Sequence, residues 1–171
     1  SIRPGASESI SKLILLCKNK TGYKNLSNLI TRSYLEGHQK DKAMVDIEWL
    51  DNQNSAGLII ISGGYNGFIQ NLLLSEKSGT ATRQLERLQL IFPEDLFLQI
   101  QKLGGNRDEE LLEKTIEIAS LTEVPLLASN NPKFLNQDDY LSLDARVCID
   151  QGDVIDNIHR VREYTVEQYF K

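Results

Sequence analysis

Four short apolar runs, each followed by residues of helical periodicity, constrain this chain more than any other feature. Lys12–Cys17 reads as a buried strand, and Leu58-Ile59-Ile60-Ile61 is uniformly apolar and rich in β-branched side chains. Leu96–Ile100 and Val124–Ala128 continue the series. The connections between them are too long for hairpins, so the runs are expected to lie parallel in a sheet covered on both faces by helices. The sheet is either open or closed into a barrel. In both forms the loops after the strands' carboxyl ends build the site. Those loops are 18–22, 62–67, 101–105 and 129–133.

Between the strands, Leu26, Leu29, Ile30 and Tyr34 fall at helical spacing and are expected to share one buried face, with Gly37 as the stop. A short helical piece over Asp46–Leu50 carries Trp49, the only tryptophan. Ser62-Gly63-Gly64 turns the chain into a short helix near Phe68–Leu74. A longer helix over about Thr80–Phe92 buries Leu85, Leu88 and Phe92, and Pro93 closes it. Asp108–Ser120 opens with three acidic residues, as the helix dipole favours, and shows an apolar face of Leu111, Leu112, Thr115, Ile116 and Ala119. A further helix covers about Asp138–Ile149. Thr165-Val166-Glu167-Gln168 has capping-box spacing and is expected to open a last one.

Composition removes whole classes of function. With two histidines (His38, His159) and two cysteines (Cys17, Cys148), neither pair at ligand spacing, a zinc cluster and a disulfide scaffold are disfavoured, and the reducing cytoplasm is the expected compartment. No apolar run is long enough to span a bilayer. The net charge of -5 is unevenly spread. Residues 1–42 carry eight Lys/Arg and three Asp/Glu, whereas residues 43–171 carry 11 and 21. Lys18, Lys20 and Lys24 have only Tyr23 as a nearby aromatic, so a solvated face is favoured over a nucleic-acid footprint.

The strand-end loops decide the chemistry. Ser62-Gly63-Gly64-Tyr65-Asn66-Gly67 follows a strand, but its spacing is neither GxGxxG nor GxxxxGK[ST], so a tight turn is favoured over a phosphate cradle. Ser62 has no histidine in a strand-end loop to act as base. Both histidines are expected at the surface, and Cys17 and Cys148 as small buried apolar groups. Glu94-Asp95 precedes a strand and so lies at the wrong end. Asp108–Glu110 and Asp138-Asp139 sit at helix starts, where the dipole and solvation explain them. Together with Gln99, the loops offer Gln101, Lys102, Asn130, Asn131 and Lys133. Amides and cations are poor ligands for hard divalent ions or zinc.

Thr21-Gly22-Tyr23-Lys24-Asn25-Leu26, Leu58-Ile59-Ile60-Ile61-Ser62-Gly63-Gly64, Phe97-Leu98-Gln99-Ile100 and Ala128-Ser129-Asn130-Asn131 occur in that order, and Tyr164-Thr165-Val166-Glu167-Gln168-Tyr169 closes the chain. The succession resembles the PHP (polymerase and histidinol phosphatase) domain at the amino end of bacterial replicative DNA polymerase III alpha subunits. The resemblance implies a parallel-strand (β/α) barrel of PHP type, incomplete at the amino end, since the family's opening His-x-His strand would precede Ser1. It implies a leading segment (1–12), a partial PHP domain (13–160) and an exit segment toward the polymerase thumb (161–171).

Metal-keeping members of the family read Asn-Asp-x-His where this chain has Asn130-Asn131-Pro132-Lys133, and they carry a Glu on the strand where Gln99 stands. Gln99, Asn131 and Lys133 are therefore degenerate ligand positions, with no catalytic residue, metal or cofactor expected. The implied role is a scaffold that docks the proofreading exonuclease (epsilon) subunit and braces the thumb within the polymerase III holoenzyme, DNA being met through the parent polymerase. The alternative is a metal-dependent phosphoesterase completed by upstream residues. A barrel lacking its first strands would expose an edge and is expected to self-associate.

Overall fold

The computed structural model describes residues 2–3, 10–39, 42–157 and 159–171. Its centre is a four-stranded sheet of β1 (Ile14–Cys17), β2 (Leu58–Ile61), β3 (Leu96–Ile100) and β4 (Leu126–Ala128), paired in that order. β2, β3 and β4 are parallel, as the long connections require. Helices α1 (Lys20–Leu35), α2 (Phe68–Leu74), α3 (Ser78–Ile91), α4 (Asp108–Thr122) and α5 (Tyr140–Gln151) complete the mixed α/β arrangement. Two-residue pairings join Ile2–Arg3 to Val45–Asp46 and His38–Gln39 to Lys42–Ala43. Among the described residues the sheet is open at β1 and β4, so the expected closed barrel is not formed by these strands.

The register puts Leu58, Ile60, Leu96 and Leu98 on one face of the sheet, and each is at most 4 % exposed. Against them pack Phe68, Ile69 and Leu73 of α2, Leu85 and Leu88 of α3, and Ile118 and Ala119 of α4. Phe92, just past α3, and Val124, just before β4, complete this layer. Burying one such leucine or isoleucine contributes roughly 1.5–3 kcal/mol relative to leaving it in water. On α4, Leu111, Thr115 and Ala119 are buried as expected, but Ile116 is 45 % exposed and Ile118 takes the core position.

β1 departs from the expectation. It is antiparallel to β2, pairing Ile14 with Ile61 and Cys17 with Leu58, and three of its four residues are exposed. The cause lies in the connection, which starts and ends at the same end of the sheet. Asn19 caps α1 by accepting from the Gly22 N–H at 3.0 Å, and the Lys18 N–H donates to the Gly57 carbonyl at 2.8 Å. Residues 18–57 thus form a wide hairpin rather than a crossover. Cys17 is exposed in consequence, whereas Cys148 is buried as expected. Loop 18–22 falls at the opposite end from the carboxyl ends of β2–β4. Lys18 confirms the placement, because it forms a 2.8 Å ion pair with Asp95, just before β3.

The α1 face was also misassigned. Gly22, Leu29 and Ser33 are its buried residues and Leu26 packs on the core, while Ile30 and Tyr34 are 48 % and 66 % exposed. Gly22 sets this rotation, since a Cβ there would lie 1.8 Å from the Gly57 carbonyl oxygen, and Gly57 itself has φ +75°. Only two hydrogens at residue 22 let α1 approach that turn. The expected final helix is absent as well. Residues 165–168 form a turn in which the Thr165 N–H donates to Gln168 Oε1 at 3.0 Å, and the chain then bridges Tyr169 to Phe134.

These contacts make two glycines behave oppositely. Gly22→Ala is expected to lower stability by about 1–3 kcal/mol, through overpacking against the Gly57 backbone. Gly79, near the start of α3, would place a Cβ in open space. Gly79→Ala is expected to raise stability by up to about 1 kcal/mol. Urea unfolding of the two variants checks the pair, and a neutral Gly22→Ala would contradict the close-approach explanation.

Candidate functional site

The carboxyl ends of β2, β3 and β4 converge on a cleft of about 210 Å³ lined by Lys12, Ile14, Gly63, Tyr65, Asn66, Gln99, Gln101, Asn130 and Asn131. Its floor is a polar network. Ser62, 1 % exposed at the end of β2, accepts from Gln70 Nε2 at 2.7 Å and from the Gln99 N–H at 2.9 Å. Gln70 Nε2 also reaches the Gln99 carbonyl at 3.1 Å. Gln99 Nε2 donates to Ser129 Oγ at 2.5 Å, and Gln101 Nε2 donates to the same hydroxyl at 3.2 Å. Gln101 Oε1 in turn accepts from the Tyr65 N–H at 3.3 Å. β2, α2, β3 and the loop after β4 are tied into one unit by neutral groups.

Ser62 is therefore a structural hydroxyl. No imidazole reaches it, and His38 and His159 are both exposed, as expected. The glycine loop is a turn, also as expected: Gly63 and Gly64 have φ +89° and +62°, and residues 64–66 form a single 3-10 turn. A Cβ on Gly64 would lie 2.1 Å from Gln101 Oε1, so that glycine is required for the amide to seat.

Of the three degenerate positions, Gln99 and Asn131 line the cleft and Lys133 does not. Its ammonium is turned away, 5.4 Å from the centroid of the Tyr164 ring. The cation in the cleft is Lys12, which the sequence reading treated only as the start of a strand. The signal for it was the direction of β1: an antiparallel strand brings its amino end, not its carboxyl end, to this site. The Lys12 backbone closes the arrangement, donating to the Asn66 carbonyl at 2.9 Å and accepting from the Phe68 N–H at 3.2 Å.

The acidic runs are elsewhere. Asp108 is 6 % exposed, and its carboxylate accepts from the backbone N–H groups of Leu103 (2.5 Å) and Gly105 (3.1 Å). It therefore shapes the 101–105 loop, beyond the dipole role expected of it. Asp139 caps the turn before α5 by accepting from the Asn136 N–H at 2.9 Å. Among the described residues, no group of three or more His, Cys, Asp or Glu is placed to hold a metal ion. The divalent metal of metal-keeping PHP domains does not fit the donors present here. Neutral amides and an ammonium offer no charge to offset a dication.

A strap of chain crosses the loop after β4. Asn130 Nδ2 donates to the Tyr169 carbonyl at 2.7 Å, the Lys133 N–H to the Gln168 carbonyl at 2.7 Å, and the Phe170 N–H to the Phe134 carbonyl at 3.0 Å. The Thr165 hydroxyl donates to the Leu103 carbonyl. Upstream, Arg160 is locked to Asp144 of α5 by two bonds of 2.7 and 2.6 Å in a buried setting. Hydrogen bonds from the guanidinium hold the Asp144 carboxyl below its ordinary value of 3.8.

Two outcomes follow from this geometry. Ser62→Ala leaves the Gln99 N–H and the Gln70 amide without their acceptor, so stability is expected to fall by about 1–3 kcal/mol in denaturant titration. A change within a few tenths of a kcal/mol would show that the node is dispensable. Because the Asp144 carboxyl is depressed in the folded chain, its stabilising contribution is complete above the ordinary carboxylate range. It is lost as pH falls through the lower native value. Urea midpoints of wild type and Asp144→Asn are expected to differ at neutral pH and to converge in acid. Parallel curves would contradict the pairing.

The PHP domain profile matches residues 2–102. Over 162 residues, 95 % of this chain, the sequence is 33 % identical to the DNA polymerase III subunit alpha of Pseudomonas aeruginosa. It is 30 % identical over 164 residues, 96 % of the chain, to the proteins of that name from Vibrio cholerae and Escherichia coli. In each case the chain spans 14 % of the relative's length. With a profile covering more than half the chain and a parallel sheet carrying a strand-end cleft, the chain belongs to the PHP domain family.

Proposed function

We propose that this chain is the later part of the PHP domain of a DNA polymerase III alpha subunit, acting in bacterial chromosomal replication in the cytoplasm. Its part in that work is structural, not catalytic. Residues 13–160 form the later arc of a PHP barrel whose remaining strands belong to the longer polypeptide. Residues 161–171 lead toward the polymerase thumb. The domain docks the proofreading exonuclease subunit and braces the thumb, while nucleotidyl transfer and DNA contact belong to the rest of the parent chain.

The strand-end cleft carries this reading. Where metal-dependent phosphoester hydrolysis needs carboxylates and imidazoles, it presents Gln99, Gln101, Asn130, Asn131 and Lys12. The surrounding hydrogen bonds consume most of those amides in holding the strands and the strap together. A fold can keep its packing surfaces after its chemistry is lost. Among the described residues no helix is long and apolar enough to cross a membrane, which fits this reading.

The discriminating assay uses the full-length alpha chain with manganese or zinc and a phosphomonoester substrate. The expected result is no chelator-sensitive hydrolysis, with the exonuclease subunit still co-eluting with the chain. Chelator-sensitive phosphoesterase activity would establish the alternative, a working PHP site completed by residues outside these 171. The 171-residue chain alone has Ile14 and Leu16 exposed on β1, at 37 % and 48 %. It is expected to self-associate through that strand, and a monomer in sedimentation at high protein concentration would contradict this.

A further inference from the structure

The rotation of α1 leaves an unpartnered face. Tyr23, Ser27, Ile30 and Tyr34 stand at i, i+4, i+7 and i+11, on one side of the helix, spanning about 16 Å at the standard rise. Tyr23 is 68 %, Ile30 48 % and Tyr34 66 % exposed. Lys20 and Lys24 are exposed in the first two turns, and no ion pair involves either among the described residues. Between residues 10 and 35 there is no Asp or Glu, although the chain as a whole is acidic.

These lysines stand at the wrong end of their helix. The N-terminus of a helix carries partial positive charge and favours acidic residues, yet the first turn of α1 has none. Two ammonium groups there add to the dipole and build a local positive potential that costs stability. α4 of the same chain does the opposite, opening with Asp108, Glu109 and Glu110. The arrangement on α1 thus lowers the helix's own stability and makes sense when an anionic surface neutralises it.

We infer that the outer face of α1 is a docking ridge for a protein partner whose groove has an apolar floor and an acidic rim. Tyrosines are enriched at the centres of interfaces because each brings a large apolar body and a polar tip. Spacing of i, i+4, i+7 and i+11 is how a helix seats in such a groove. Ile30, at the middle of the stripe, separates a protein from a nucleic acid as the occupant. An aliphatic anchor on a convex ridge gains nothing from phosphates, and single strands are held in grooves rather than on ridges. The positive charge is therefore for carboxylates on the groove's rim, where complementary charge sets association rate and register.

The inference rests on the scaffold reading, so the exonuclease subunit is the protein probe. Its affinity for the full-length alpha chain is measured for wild type, Lys20→Glu/Lys24→Glu and Tyr23→Ala/Tyr34→Ala. These side chains are exposed, and a circular-dichroism melt verifies folding. Each double variant is expected to bind about tenfold or more weakly, and the wild-type affinity to fall with salt more steeply than that of the lysine variant. Equal binding by all three overturns the docking ridge and leaves the scaffold reading intact. No binding by the wild type overturns both. Loss of oligonucleotide binding or of self-association in the variants, with exonuclease affinity unchanged, assigns the ridge to another occupant and overturns the inference.

Discussion

The hydroxyl of Ser62 holds the site end of this fold together. It receives two hydrogen bonds in a setting from which water is excluded, one from the α2 side chain Gln70 and one from the β3 backbone at Gln99. A buried donor without an acceptor costs about 1–3 kcal/mol, so a small hydroxyl here fixes where β2 ends and how α2 leaves it. The position of Gln99 then sets Ser129, and Ser129 sets Gln101 and the turn at Tyr65. Each link is neutral. The three strand ends are clamped by side-chain amides and hydroxyls in the region where metal-keeping relatives place ionic ligands.

That substitution has a direct electrostatic meaning. A divalent ion in a half-buried cleft needs anionic oxygen or neutral nitrogen donors to replace its hydration shell. Amide side chains supply only dipoles, and Lys12 adds a charge of the same sign as the ion. In exchange, the amides work as both donors and acceptors, which lets them bridge strands to one another and to the strap of residues 165–170. The same loop that would have carried metal ligands now anchors that strap through the Asn130 side chain and the backbone of Lys133.

Much of this was legible in the sequence, for identifiable reasons. Leu58–Ile61 and Leu96–Ile100 were readable because strands buried on both faces leave an uninterrupted apolar run. α2 and α3 were readable from the glycine turn before one and the proline after the other. The direction of β1 was not readable, because it depends on where a forty-residue excursion ends, and contact between Gly22 and Gly57 decides that. The α1 face was misread for a related reason: apolar periodicity marked Ile30 and Tyr34, but backbone approach at Gly22 rotated the helix onto Leu26, Leu29 and Ser33. At the site, Gln99 and Asn131 were placed correctly. Lys133 and Lys12 exchanged roles, since Lys133 found an aromatic ring and the antiparallel β1 delivered Lys12. Thr165–Gln168 had the spacing of a helix start, yet its carbonyl and amide groups found partners in the loops after β3 and β4.

Metal retention by the intact alpha chain tests the central claim most directly. The protein is equilibrated with zinc or manganese, dialysed without chelator, and its metal content measured per chain. The expected result is far less than one ion per chain, unchanged by subsequent treatment with a chelator. One or more tightly held ions per chain, removable only by chelation, would contradict the claim that amides and Lys12 have replaced the metal site.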